Sequence, residues 1–146
     1  MAKTQFKAVV TAKNGLTMDC RSRNFQFNLD EPPMLGGNDT GMNPIEALLN
    51  ALGACKAIVA RSFAQMKGVN FTDLRVEIEG TLDPDGFMGM NPDAKIGLSE
   101  IHSKYYFKSQ DSQEKLEDFV KFMEKTCPVM DTIVNTPSFV DEVIKE

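Results

Sequence analysis

The segment that follows Asn43 constrains this chain more than any other. Asn43 is a good N-cap, Pro44 stands where a helix needs no N–H donor, and Glu46 occupies the position that closes a capping box. From there Ile45, Leu48, Leu49, Leu52, Cys55, Ile58, Val59, Phe63 and Met66 recur at steps of three and four, one apolar stripe that Gly68 is suited to end. About 24 residues at a rise of ~1.5 Å make a helix of roughly 36 Å. A chain of 146 residues accommodates one compact domain, predicted over 1–146, and a helix of that length has to run through its middle.

The flanking segments read as strands. Residues 4–10 and 16–20 lie on either side of Asn14-Gly15, a dipeptide suited to a hairpin turn. Phe25, Phe27 and Leu29 alternate with Asn24, Gln26 and Asn28, which predicts a third strand with one buried face. The prolines and glycines between Asp30 and Gly41 predict a loop. Beyond the long helix, Leu74, Val76 and Ile78 alternate with charged residues, the pattern of a half-buried antiparallel strand. A loop over 83–95 carries Phe87, Met88 and Met90 and suggests a cover for an apolar pocket, or merely an exposed loop; 96–108 reads as another strand. Asp111 with Glu114 caps a second helix whose inner face is Leu116, Phe119, Val120 and Met123. Cys127-Pro128 interrupts that helix, 129–135 predicts a short further helix, and 138–144 a closing strand. The class is α+β, with antiparallel sheet and two main helices.

Charge narrows the function. Sixteen Lys and Arg against 21 Asp and Glu give a net charge of −5, and no long basic run interrupts it. Nucleic acid and anionic membrane are therefore poor partners, since phosphate contacts need clustered positive charge. No apolar stretch has the length of a transmembrane helix and the first ten residues lack a signal-peptide core, so a cytoplasmic location is expected.

Three cysteines do not make a secreted disulfide framework, and in a reducing compartment they are thiols. Cys55 lies on the apolar stripe. Read from the residues alone it is either a buried small hydrophobe or a thiolate nucleophile that draws its activating cation from elsewhere. Cys127, before Pro128 at a helix break, sits where a helix dipole favours a thiolate, or simply occupies a cap. Seventy-two residues separate the two, which neither shows nor excludes contact. Cys20 ends a predicted strand and reads as structural. His102 is the one histidine, so no His/Cys cluster has metal-ligand spacing, and no glycine-rich phosphate loop is present; neither metal nor cofactor is expected.

Gly36-Gly37-Asn38-Asp39-Thr40-Gly41-Met42-Asn43-Pro44-Ile45-Glu46, leading through an apolar helix to Cys55, resembles the signature of the osmotically inducible protein C / organic hydroperoxide resistance (OsmC/Ohr) family. Glu124-Lys125-Thr126-Cys127-Pro128-Val129 resembles that family's second motif, and the likeness extends over roughly residues 4–144. The stretch from Asp30 to Cys55 is most similar to the OsmC-like branch. The resemblance implies an intertwined homodimer of antiparallel sheets around long central helices, with sites at the dimer interface. It implies a thiol peroxidase that reduces organic hydroperoxides, with Cys55 peroxidatic, Cys127 resolving, and a dithiol such as a lipoylated protein restoring the pair.

In that family an arginine lowers the thiol pKa and a glutamate holds the arginine. Arg23, just before the Phe25/Phe27 strand, is the first candidate, and Arg21, on the same face, the second. The family's glutamate follows the proline directly, a position taken here by Ile45; the candidate carboxylate is Glu46, nine residues before Cys55. Nine residues are about 900° of helix, which sets Glu46 on the face opposite Cys55, and a capping box suffices to explain it. A second reading keeps the fold without the chemistry: a non-catalytic dimer that binds a small apolar or electrophilic ligand at its interface.

Overall fold

A computed structural model describes all residues, Met1–Glu146. The chain divides into two compact units, Met1–Leu49 and Asn50–Glu146, and the α+β class is as expected.

The first unit is a three-stranded antiparallel meander of β1 (Val9–Ala12), β2 (Met18–Ser22) and β3 (Phe25–Leu29). Its first hairpin closes over Asn14-Gly15, with the Lys13 N–H donating to the Thr17 carbonyl at 2.9 Å. The second is tighter: Ser22 pairs with Phe25, and Arg23 in the connection has a φ of 56°. The buried face expected for Phe25 and Phe27 is not formed. Both are exposed, as are Val9 and Val10 on β1, because no layer of this unit covers them. Asp30, 1% exposed, organises the loop that follows. Its carboxylate accepts from the hydroxyls of Thr40 and Thr17 at 2.6 and 2.7 Å and from the backbone N–H groups of Glu31, Asn38 and Thr40. These bonds, led by that of Thr40, hold the carboxyl well below the usual carboxylate range.

Helix α1 (Pro44–Phe63) begins with the expected capping box: the Glu46 N–H donates to Asn43 Oδ1 and the Asn43 N–H to Glu46 Oε2, both at 2.8 Å. It ends earlier than predicted, although turns continue the chain to Gly68, which takes a φ of 64° as the Val69 N–H returns to the Ala64 carbonyl.

In the second unit, β4 (Asp73–Leu82) and β5 (Leu98–Lys108) form a long antiparallel ribbon. Leu74, Val76 and Ile78 pair with Phe107, Tyr105 and Ser103, so both strands turn one set of side chains inward. Between them lies the turn of helix α2 (Pro84–Phe87); Phe87, Met88 and Met90 are exposed. Helix α3 (Gln113–Thr126) is capped by Ser112, whose hydroxyl accepts from the Lys115 N–H, and not by Asp111, which instead accepts from the Asn70 N–H and the Lys115 ammonium. Helix α4 (Pro128–Val134) follows at once. The core of this unit is Leu52, Val59, Ala60, Val69, Phe119, Met123 and Cys127.

Two expectations fail here. Residues 138–144 form no strand, since no sheet edge of this chain takes them up, and Phe139, Val140, Val143 and Ile144 are exposed. The inner stripe of α1 is also displaced: Leu52, Lys56, Val59 and Ala60 are buried, whereas Ile58 is exposed. No helix is long and apolar enough to cross a membrane.

Candidate active site

The second unit brings Cys55 and Cys127 together. Their Sγ atoms are 2.9 Å apart, and both are free thiols, against the ~2.05 Å of a disulfide bond. Cys55 stands at the margin of the inner face of α1 and is half-buried; Cys127 is wholly buried. The position of Cys127 follows from the sequence around it. Its N–H closes α3 on the Met123 carbonyl, Pro128 cannot continue that helix, and the Cys127 sulfur accepts the Met130 N–H at 3.4 Å as the N-cap of α4.

The expected effect of the helix end on Cys127 is outweighed. Burial raises its pKa most, the hydrogen bond it donates to Cys55 adds to this, and the Met130 N–H pulls only partly the other way. Cys127 is thus kept as a protonated thiol at neutral pH, suited to follow an attack and not to begin one. Cys55 is the more accessible sulfur. Cys20 is buried against its own strand, its thiol reaching only the Met18 carbonyl at 3.8 Å.

Beside the sulfurs lies a polar cluster that the sequence did not reveal. Lys56, next in the chain to Cys55, is 2% exposed. Its Nζ donates to Glu124 Oε1 at 2.7 Å and to Ser103 Oγ at 3.1 Å, and it lies 5.5 Å from the centre of the Tyr105 ring. The Tyr105 hydroxyl donates to the same Glu124 oxygen. Burial, then the Glu124 hydrogen bond and charge, push the Tyr105 phenol far above its usual range, so it remains a donor. An open pocket of about 390 Å³ adjoins this cluster, with Leu52, Ile101, Met130 and Ile133 on its walls. Phe87, Met88 and Met90 do not line it. A larger groove of about 900 Å³ near Arg61, Gln65 and Lys108 has no cysteine on its walls.

Two signals could have disclosed the cluster. Residues 52, 56, 59, 60 and 63 also recur at steps of three and four, a stripe with a lysine inside it, and Glu124 opens the second cysteine motif.

Arg23, Arg21 and Glu46 have local roles in the first unit. Arg23 sits in the β2–β3 turn with its guanidinium 5.0 Å from the Phe25 ring centre. Arg21 pairs with Asp19 at 2.8 Å, which lowers the Asp19 pKa. Glu46 serves the capping box. His102 is exposed on β5, opposite Glu79.

Comparison with known proteins identifies the family and the fold. Residues 36–141 match the model of the family described as OsmC-like protein. A protein of Mycoplasma genitalium named hydroperoxide reductase is 30% identical over 119 residues, covering 81% of this chain and 79% of its own. A protein of the same name from Mycoplasma pneumoniae is 30% identical over 118 residues, 80% of this chain and 78% of its own. The crystal structure of an OsmC-like protein from Mycoplasma pneumoniae superposes with a TM-score of 0.80 at 24% identity, covering 92% of this chain and 91% of that one. Both cysteine motifs lie within the matched stretch, which takes in most of the chain: it belongs to the OsmC-like family.

Proposed function

We propose that the protein reduces organic hydroperoxides with Cys55 and Cys127 as its working pair. The observation that carries this reading is the contact, at 2.9 Å, of a half-buried sulfur with a fully buried one. The relatives named hydroperoxide reductase support the substrate class. A Cys55 thiolate attacks the peroxide oxygen, the O–O bond breaks, and the alkoxide leaves as alcohol on taking a proton. Cys55 is then a sulfenic acid. The Cys127 thiol condenses with it, a disulfide forms and water departs. A dithiol reduces the disulfide by two exchange steps and is itself oxidised.

The working form in this reading is a cytoplasmic homodimer of chains that each act as one domain over 1–146. Its support is the set of large apolar residues exposed in the single chain, among them Phe25, Phe27 and Ile58 and the segment from Phe139 to Ile144.

The test is mass spectrometry of the reduced protein before and after one equivalent of cumene hydroperoxide, beside Cys55→Ser and Cys127→Ser. Loss of two hydrogens in the parent, with oxygen trapped on Cys55 in C127S, is the expected result. A parent that stays reduced under peroxide that oxidises an ordinary thiol sinks the reading and turns attention to ligands of the pocket beside Lys56. Two further variants test the assignments that the resemblance carries. Slower Cys55 oxidation in Arg23→Ala would make Arg23 the activating cation, while Glu46→Gln is expected to act on stability through the capping box and leave that rate unchanged.

A further inference from the structure

We infer that the Lys56–Glu124–Tyr105 cluster is a positioning device that fixes the geometry, and with it the redox equilibrium, of the Cys55–Cys127 pair; the inference rests on these two cysteines being the working pair. Each partner of the ion pair is tied to one of the sulfurs by the backbone. Lys56 follows Cys55 on α1, and Glu124 lies three residues before Cys127 in the last turn of α3. The two helices are therefore joined near the site at two points, sulfur to sulfur at 2.9 Å and ammonium to carboxylate at 2.7 Å. Core packing of Leu52, Val59 and Ala60 in one cluster with Phe119 and Met123 already holds α1 near the α3–α4 junction. The ion pair adds a directional contact beside the sulfurs, which narrows the small adjustments that apolar packing allows.

The cluster has the character of a fixed bracket. Lys56 is almost wholly enclosed, and β5 supplies Ser103 to its ammonium and Tyr105 to its carboxylate partner, which leaves each charged group one preferred orientation. A buried ion pair contributes little net stability compared with apolar residues of similar volume. What such a pair supplies is geometry, and disulfide closure depends steeply on geometry through the effective concentration of one thiol at the other.

The test measures the equilibrium of the pair with glutathione: two thiols and one oxidised glutathione give the intramolecular disulfide and two reduced glutathiones. No peroxide is involved, so its outcome is independent of hydroperoxide reduction. The variant is Lys56→Met with Glu124→Leu, which removes both charges together and keeps the volume. The expected result is a folded protein whose equilibrium constant for disulfide formation falls about tenfold, a rise in reduction potential of ~30 mV for a two-electron couple. Tyr105→Phe, which deletes the hydroxyl's bonds to Glu124 and Ser103 and keeps the ion pair, is expected to shift the constant in the same direction by a smaller factor, and it carries the test should the double variant fail to fold. Potentials equal to the parent's in the folded variants overturn the inference and leave the cluster a packing element. A parent that equilibrates with glutathione but is inert to cumene hydroperoxide refutes the proposed reaction instead.

Discussion

The cost of cutting the Lys56–Glu124 pair on one side should depend on which side is cut. Removing one partner of a buried ion pair costs about 3–5 kcal/mol, because the other charge is left without compensation. In Glu124→Leu the charge left behind is Lys56, whose side chain is 3% exposed, so the full cost of about 3–5 kcal/mol applies. In Lys56→Met the charge left behind is Glu124, 29% exposed and still bonded to Tyr105. Water reaches that carboxylate, and the cost drops to about 2–3 kcal/mol. The double replacement leaves no unpaired charge and should return to within about 1 kcal/mol of the parent. Urea unfolding followed by far-ultraviolet circular dichroism, at one protein concentration, measures all four proteins. The singles should lower the melting temperature by about 6–15 °C, at about 3 °C per kcal/mol for a chain of this length. The reasoning fails if Lys56→Met is as costly as Glu124→Leu, or if the double variant is as unstable as the worse single.

Other perturbations test other parts of the structure. Met123, 0% exposed in the core, should cost about 2–5 kcal/mol on truncation to alanine, read in the same urea titration. A Cβ at Gly37 would lie 1.8 Å from the Glu31 carbonyl oxygen, a backbone atom that cannot yield, so Gly37→Ala should destabilise the loop before α1, seen as faster amide exchange over residues 30–42. Asp30 has a pKa depressed in the fold, so its stabilisation is complete above the unfolded value of about 4 and is lost as pH falls below it. Unfolding midpoints at pH 6 and pH 3 should therefore differ less in Asp30→Asn than in the parent, and an equal acid loss in both would show that the carboxylate is not responsible.

What the sequence disclosed and what it withheld divide along physical lines. Local signals were legible. Asn43, Pro44 and Glu46 are satisfied within one turn, Asn14-Gly15 closes a short hairpin, and Cys127-Pro128 breaks a helix through the missing proline N–H. The alternation around Leu74, Val76 and Ile78 likewise gave β4. Two kinds of feature stayed hidden. One was the buried lysine: Lys56 reads as a solvated residue until its partner is known, and Glu124 is 68 positions away. The other was the exposure of faces patterned for burial. Phe25, Phe27 and residues 138–144 carry strand-like apolar patterns, yet patterning says that a face will be covered without saying by what. The cysteine motifs were legible only by resemblance, since mid-helix placement gave Cys55 no mark of reactivity.

Cys127 closes one helix with its backbone and opens the next with its side chain. A sulfur that serves as a helix cap is an acceptor whose strength follows its chemical state: stronger as it gains negative charge, weaker once it is bonded to another atom. Every change of state at this sulfur therefore resets the stability of the first turn of α4, at the Met130 N–H. The coupling is reciprocal. Whatever grips or loosens α4 from outside also shifts the balance among the states of Cys127, so this seven-residue helix is a handle on the sulfur that can be turned without touching it.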